Sequence, residues 1–285
     1  MKVLKLIIPS IAVYFLLFTT GTQFSSCEKT VTVHDTIVKK DTVIHKDTLT
    51  IVDSLGALKT GMVGYYTFTN GSLQDSSGYN NHIVFNSAAK TADRYGRANN
   101  AYLFDGASTY MKVSNSASLS PANLTLAATV RVNGFYKGAC QGNDIIVKGS
   151  PDDVIGLYLM RFTSATGCGN APDTTKEFFF GGYGDNVPKG TSPAASADSV
   201  YIKTGQWYNL VYTYDGFESR FYINGVLKSI TVKTAAFHAN SNDLYFGKNE
   251  NPQYPYYFNG AIDEIRIYNR ALCADDVKML NSLKQ

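Results

Sequence analysis

A chain of 285 residues with 44% hydrophobic residues, 17% charged residues and a formal charge of +3 can fill a sizeable core, and its field is too weak to gather nucleic acid. Residues 1–26 contain Lys2 and Lys5 and no acid, so a chain without them carries +1. Four cysteines with no Cys-x-x-Cys and no Cys/His cluster argue against zinc.

The N-terminus has a basic start (Met1 to Lys5), an apolar run from Leu6 to Phe18, and small and polar residues before Cys27. The run is short for a membrane-spanning helix of about 20 residues, and the order is that of an export signal over residues 1–26. Ser25-Ser26-Cys27 resembles the lipobox of bacterial lipoproteins, which implies cleavage before Cys27 and acylation of its sulfur. The membrane would then be a covalent, terminal partner, held by burial of acyl chains. Phe24 departs from the aliphatic residue usual there, and a plain secretory signal is the alternative. The expected location is the cell envelope, as an outer-membrane lipoprotein that is surface-exposed or periplasm-facing.

Residues 27–57 read as an extended, repeat-bearing tether. A six-residue period places Asp35-Thr36-Ile37, Asp41-Thr42-Val43, Asp47-Thr48-Leu49 and Asp53-Ser54-Leu55 in register. Its β-branched residues disfavour helix, and an even period keeps each residue type on one side of an extended chain. About 28 such residues span on the order of 90 Å. Asp-(Ser/Thr)-aliphatic also resembles the O-glycosylation sequon of exported proteins in some Gram-negative bacteria, which makes Thr36, Thr42, Thr48 and Ser54 candidates. The competing reading is a low-complexity linker kept soluble by Thr and Asp.

Residues 58–285 fit one all-β domain. Strands are expected at 62–68, 82–85, 100–105, 109–113, 124–132, 144–148, 155–161, 177–183, 199–203, 206–214, 219–223, 226–232, 243–248 and 257–268, with Gly, Asn, Asp and Ser between them. Asn224-Gly225 between two apolar runs is the strongest short-range hairpin signal, since both tolerate positive φ. Two antiparallel sheets packed face to face follow from this pattern. The one expected helix runs from Asp275 to Leu283, with Asp275 and Asp276 in its first turn.

Several of these segments, in this order, resemble the laminin-G-like, concanavalin A-type jelly-roll family of lectins and glucanases. They are Tyr65 to Gly71, Asp75-Ser76-Ser77-Gly78, Arg94 to Ala98, Tyr102 to Gly106, Gln206 to Asp215, Arg220 to Leu227 and Gly260 to Leu272. Residues 133–200 depart most and read as loop insertions. The resemblance implies a two-sheet antiparallel jelly roll with one short C-terminal helix. It also implies a calcium site near the first and last strands, with Asp263 joined by Asn70 and Asp75, and Asp105 as a further candidate. The competing reading makes these carboxylates local turn caps.

Cys140 and Cys168, both in Gly-rich loop sequence, make a plausible disulfide in an oxidising compartment. Cys273 is then left over at a helix-cap position. Glycosidases need two carboxylates on one cleft, and no suitable alternating run appears. Asp263-Glu264 are neighbours expected on opposite faces, Asp152-Asp153 fall in a turn, and Asp275-Asp276 start a helix. His82 reads as a turn or core residue bonded to a nearby Asp or carbonyl, and His238 as an ordinary loop residue. Trp207, inside an apolar strand, reads as core.

Sugar recognition stacks C–H faces on rings and bonds hydroxyls to amides and carboxylates. The best segment is 249–258, with Tyr254, Tyr256, Tyr257, Asn249, Asn251 and Gln253. Tyr183, Asp185 and Asn186 form a second candidate loop. With twenty tyrosines in the chain, some rings merely covering the sandwich edge is the competing reading. The favoured function is therefore a non-catalytic, lectin-like envelope lipoprotein binding glycan or glycoprotein. A structural or adhesive protein-interaction module is the alternative, and a polysaccharide hydrolase or lyase comes third.

Overall fold

A computed structural model describes residues 54–136, 142–149, 158–164, 177–183, 202–232 and 239–283, together with two short paired segments at 38–39 and 42–43. In chain order the elements are β1 (Val38–Lys39), β2 (Thr42–Val43), α1 (Ser54–Lys59), β3 (Met62–Tyr66), β4 (Ile83–Asn86), β5 (Ala89–Thr91), β6 (Ala101–Asp105) and β7 (Met111–Val113). There follow β8 (Leu124–Val132), β9 (Asn143–Lys148), β10 (Tyr158–Ser164), β11 (Glu177–Tyr183) and β12 (Trp207–Tyr214). The chain ends with β13 (Glu218–Ile223), β14 (Val226–Val232), β15 (Leu244–Phe246), β16 (Asn259–Tyr268) and α2 (Ala274–Ser282).

Two antiparallel sheets result. One runs β11-β10-β9-β15-β7-β4, the other β14-β13-β12-β8-β16-β6-β5, with β3 also paired to β16. The order follows from alternation in the sequence. On β8, Leu124, Leu126, Ala128, Val130 and Val132 point inward against Met111, Met160, Phe162, Leu244 and Phe246 of the facing sheet, all of them buried. Sequestering this apolar surface is the main force holding the sheets together. The β13–β14 hairpin turns at Asn224 (φ 51°) and Gly225 (φ 75°), as two-residue hairpins require.

At one end of its outer face the eight-stranded sheet carries apolar residues covered by the helices. Ala127, Val211, Tyr222 and Tyr268 are capped there by Leu58 of α1 and by Leu272, Val277 and Leu280 at α2. Helix α1 starts at Ser54, so the expected tether boundary at 57 falls inside a helix that packs on the sandwich. Leu58 of this helix is buried against Leu272, Val277 and Leu280, a gain an extended chain does not offer. Of the other repeat residues, Thr42 lies in β2, paired with Lys39, while Thr36 and Thr48 fall outside the described residues.

Other boundaries differ in detail. Strand β5 was not expected, and the expected strand at 199–203 is irregular where it is described, at Ile202 and Lys203. Trp207 is only half-buried. It sits on the outer face of β12, opposite in sense to the core residues Tyr208 and Leu210.

Candidate functional site

The outer face of the six-stranded sheet carries a run of aromatic rings. Tyr245 lies between the inward residues Leu244 and Phe246, and Lys112 between Met111 and Val113, so both project away from the core. Phe85 stacks on Tyr110 at 4.7 Å and 29°, and Tyr110 meets Tyr245 at 6.1 Å. Phe85 is 41% exposed, while Tyr110 and Tyr245 are partly so. The Lys248 ammonium lies 4.3 Å from the centre of the Tyr110 ring and 5.2 Å from that of Tyr245. Lys112 pairs with Asp243 at 3.1 Å, and Asn242 donates to Glu250 at 2.8 Å. Burial, with Glu250 and Asp243 nearby, pushes the Tyr245 phenol up to about 12, so it stays a neutral donor. None of Phe85, Tyr110, Tyr245 or Lys248 was singled out from the sequence; an aromatic alternating with core residues in a short strand is the one signal that could have found Tyr245.

The expected segment 249–258 continues this row. Tyr136 lies 6.2 Å from Tyr256 and 6.3 Å from Tyr257, and Tyr254 lies 6.1 Å from Tyr256. Tyr254 and Tyr257 are partly exposed and Gln253 is exposed. Two members have other duties. Tyr256 is 9% exposed, has a left-handed backbone (φ 47°) and covers the Arg161 guanidinium at 5.0 Å. Asn249 is wholly buried; its N–H donates to Pro255 and its side-chain oxygen accepts from the Asn251 N–H, which shapes the loop. Tyr183 belongs to another place. It pairs with Tyr158, which pairs with Lys148, whereas the Tyr256 carbonyl accepts from Asp144 at the opposite end of β9. Asp185 and Asn186 lie outside the described residues.

Beneath this loop sits a buried ion pair absent from the sequence-based expectations. Asp144 and Arg161 face each other across β9 and β10 with two contacts, 2.6 Å at Nε and 2.9 Å at Nη2. Burial pushes the Asp144 carboxyl up to about 6, against the opposing pull of Arg161. Asp263 is also pushed up to about 6 by burial, with Arg94 opposing. Both pKa values are higher folded than unfolded, so their contribution to stability is full below the ordinary carboxylate range and is lost as pH rises through about 6. Asp93 and Asp105 are held low: burial pushes each up, but backbone N–H groups outweigh it, so their effect falls below about pH 4. Urea midpoints are therefore expected to fall from about pH 4.5 to about pH 6.5; a midpoint that rises across that interval would refute the assignment.

Each of the four expected calcium ligands has partners of its own within the chain. Asp263 is bound by Arg94 at 3.0 Å. Asp75 accepts from the N–H groups of Tyr65, Ser77 and Asn81 and from the Ser77 hydroxyl. Asp105 accepts from the N–H groups of Ala107, Ser108 and Thr109 at an exposed turn. Asn70 has φ 54° and donates its N–H to Asn100. Among the described residues no group of three or more His, Cys, Asp or Glu is placed to hold a metal. Each carboxylate instead satisfies local donors.

Three smaller expectations also meet the structure. A bulge between Ile262 and Glu264 puts Asp263 and Glu264 on the same side, both reaching Arg94, at 3.0 and 3.6 Å, where a regular strand would have separated them. His82 accepts from the Asp75 N–H through Nδ1 at 3.0 Å, a turn-building role. Cys273, expected to keep a free thiol, is disulfide-bonded. Cys27, Cys140 and Cys168 lie outside the described residues.

The comparisons with known proteins agree with this architecture. The family model of the concanavalin A-like lectin/glucanases superfamily matches residues 105–278. Among solved structures, the chain is similar to domain 4 of AbnA, a GH43 extracellular arabinanase from Geobacillus stearothermophilus, in complex with arabinotriose. The two are 21% identical over 78% of this chain and 98% of that one, with a TM-score of 0.53. The binding domain of Paraclostridial Mosquitocidal Protein 1 is 16% identical (TM-score 0.52), over 79% of this chain and 52% of that one. The binding domain of Botulinum Neurotoxin DC, in complex with SialylT, is 14% identical (TM-score 0.50) over the same shares. The chain thus spans about half of each toxin binding domain, and at these identities the likeness is one of fold. No curated protein matches the chain.

Proposed function

We propose, from the premise that the chain belongs to the concanavalin A-like lectin/glucanase superfamily, that the ring-lined face of its six-stranded sheet is a non-catalytic glycan-binding surface. The observation that carries this is the Phe85–Tyr110–Tyr245 row, rings partly open to solvent and flanked by Lys248, Lys112, Asp243 and Glu250. Flat rings take the C–H faces of sugars, and the flanking polar groups bond hydroxyls. Asp243 and Glu250 are each held by a neighbour, Lys112 and Asn242, which suits hydrogen bonding to a ligand better than acid–base catalysis. Two of the similar structures are complexes, one with arabinotriose and one with SialylT, which supports a saccharide as the ligand class.

In the same reading the domain is exported, anchored to the envelope through lipidated Cys27, and set off from the membrane by a tether glycosylated at Thr36, Thr42 and Thr48. Intact mass of the membrane-fraction protein reads acylation and glycosylation directly.

Tyr245→Ala and Tyr110→Ala are each expected to weaken binding to a responsive polysaccharide by about ten- to a hundredfold, as loss of a central aromatic anchor does. Affinity electrophoresis across a glycan panel checks this. Retained affinity in both folded variants would remove the face from the reading. A second reading, protein–protein adhesion, is favoured by one observation. The strand β14, an edge among the described residues, exposes Leu227, Ile230 and Val232 (42, 53 and 63%). Envelope crosslinking lost in Ile230→Lys, with glycan binding absent, would shift the function to that edge.

A further inference from the structure

We propose a second binding site, for an acidic sugar, on the outer face of the eight-stranded sheet, built from Trp207, Arg131 and Asn209. Trp207, Arg131 and Ala261 form one rung across β12, β8 and β16, and Asn209, Thr129 and Glu264 form the next, with the β16 bulge absorbing one residue. Both rungs therefore face outward. The helices cover the far end of this face, at Ala127 and Val211, and Leu280 of α2 lines a pocket with Thr129, Asn209, Glu264 and Arg266.

The side chains here are incompletely satisfied in a way that specifies a ligand. The Arg131 guanidinium lies 5.2 Å from the centre of the Trp207 indole ring. Its Nε is buried without a hydrogen-bond partner, and among the described residues it makes no ion pair. The neighbouring guanidiniums are occupied: Arg94 by Asp263, and Arg266 by Glu264. Arg131 is thus the local excess of positive charge. The Asn209 side-chain oxygen is likewise buried and unbonded, although its amide donates to Thr129 at 3.3 Å.

A buried donor and a buried acceptor left open cost free energy that a ligand can recover. A carboxylate completes Arg131, a hydroxyl donates to Asn209, and a sugar ring edge packs beside the indole. A uronic acid carries all three. The site shares no residue with the ring row on the other sheet and stands or falls separately from it.

Trp207 is the chain's single tryptophan, so its fluorescence reports on this place alone. The full chain is titrated with galacturonate, and with galactose as the neutral control. The expected result is a saturable change with galacturonate, with galactose weaker by about tenfold or more, the usual worth of a charged hydrogen bond. Arg131→Met is expected to weaken the response similarly. Asn209→Asp, which changes charge with little change in volume, is expected to weaken it through repulsion, while Tyr245→Ala leaves it in place. No saturable change with galacturonate overturns the proposal. So does an equal response to galactose, or a response that survives both Arg131→Met and Asn209→Asp.

Discussion

Arg161→Met is expected to lower the unfolding free energy by about 3–5 kcal/mol, the usual cost of stripping one partner from a buried ion pair. Asp144 has no exposed side-chain surface and Arg161 only 12%, so the stranded carboxylate cannot turn to water. Tyr256 would also lose the guanidinium at 5.0 Å beneath its ring, and with it the packing that holds the 249–258 loop over β9. The loss should be larger at pH 8 than at pH 5, because an unpaired, buried Asp144 is neutral at the lower pH. Adding Asp144→Asn to Arg161→Met is expected to recover much of it, since a neutral amide costs less to bury. Urea denaturation of the single and double variants decides the matter. A single-variant loss below about 1 kcal/mol would mean the pair is hydrated and structurally idle.

Asp75→Ala is expected to cost about 3 kcal/mol, on the basis of about 1–3 kcal/mol for each buried donor left open. Asp75 is 7% exposed and joins the Tyr65 N–H of β3 to the Ser77 and Asn81 N–H groups of the following loop. Asn81 in turn donates to the Val63 carbonyl and to Ser118, and its own carbonyl accepts from the Tyr66 hydroxyl, so the effect spreads into the core. This role makes a second forecast that a calcium ligand would not share. Chelation is expected to leave the thermal midpoint of the parent protein unchanged, and a drop of several degrees on adding chelator would restore calcium to Asp75.

The sequence determined the fold because the information is local and repeated. Alternation of apolar residues in 124–132 and 206–214 marks strands with one buried face, and Asn224-Gly225 supplies the backbone a tight hairpin needs. The family's motifs, mostly turns and core positions, carried the same message. They did not carry the site, since Tyr254 and Tyr257 lie in a recognisable loop whereas Phe85, Tyr110 and Tyr245 are far apart in the chain and meet only through the β4-β7-β15 order.

Neighbour-dependent roles followed the same rule. The fold places Arg94 against Asp263 and Arg161 beneath the Tyr256 ring, neighbours that nothing local in the sequence announces. Trp207 looked like core, but strand parity sets it on the outer face of β12, away from the inward Tyr208. Periodicity and turn chemistry act over a few residues, so the two-sheet sandwich, the hairpin and the C-terminal helix are legible in the chain itself. Which rings form a surface, which carboxylates are already paired and which polar groups are left open depend on residues that strand pairing brings together from distant parts of the chain.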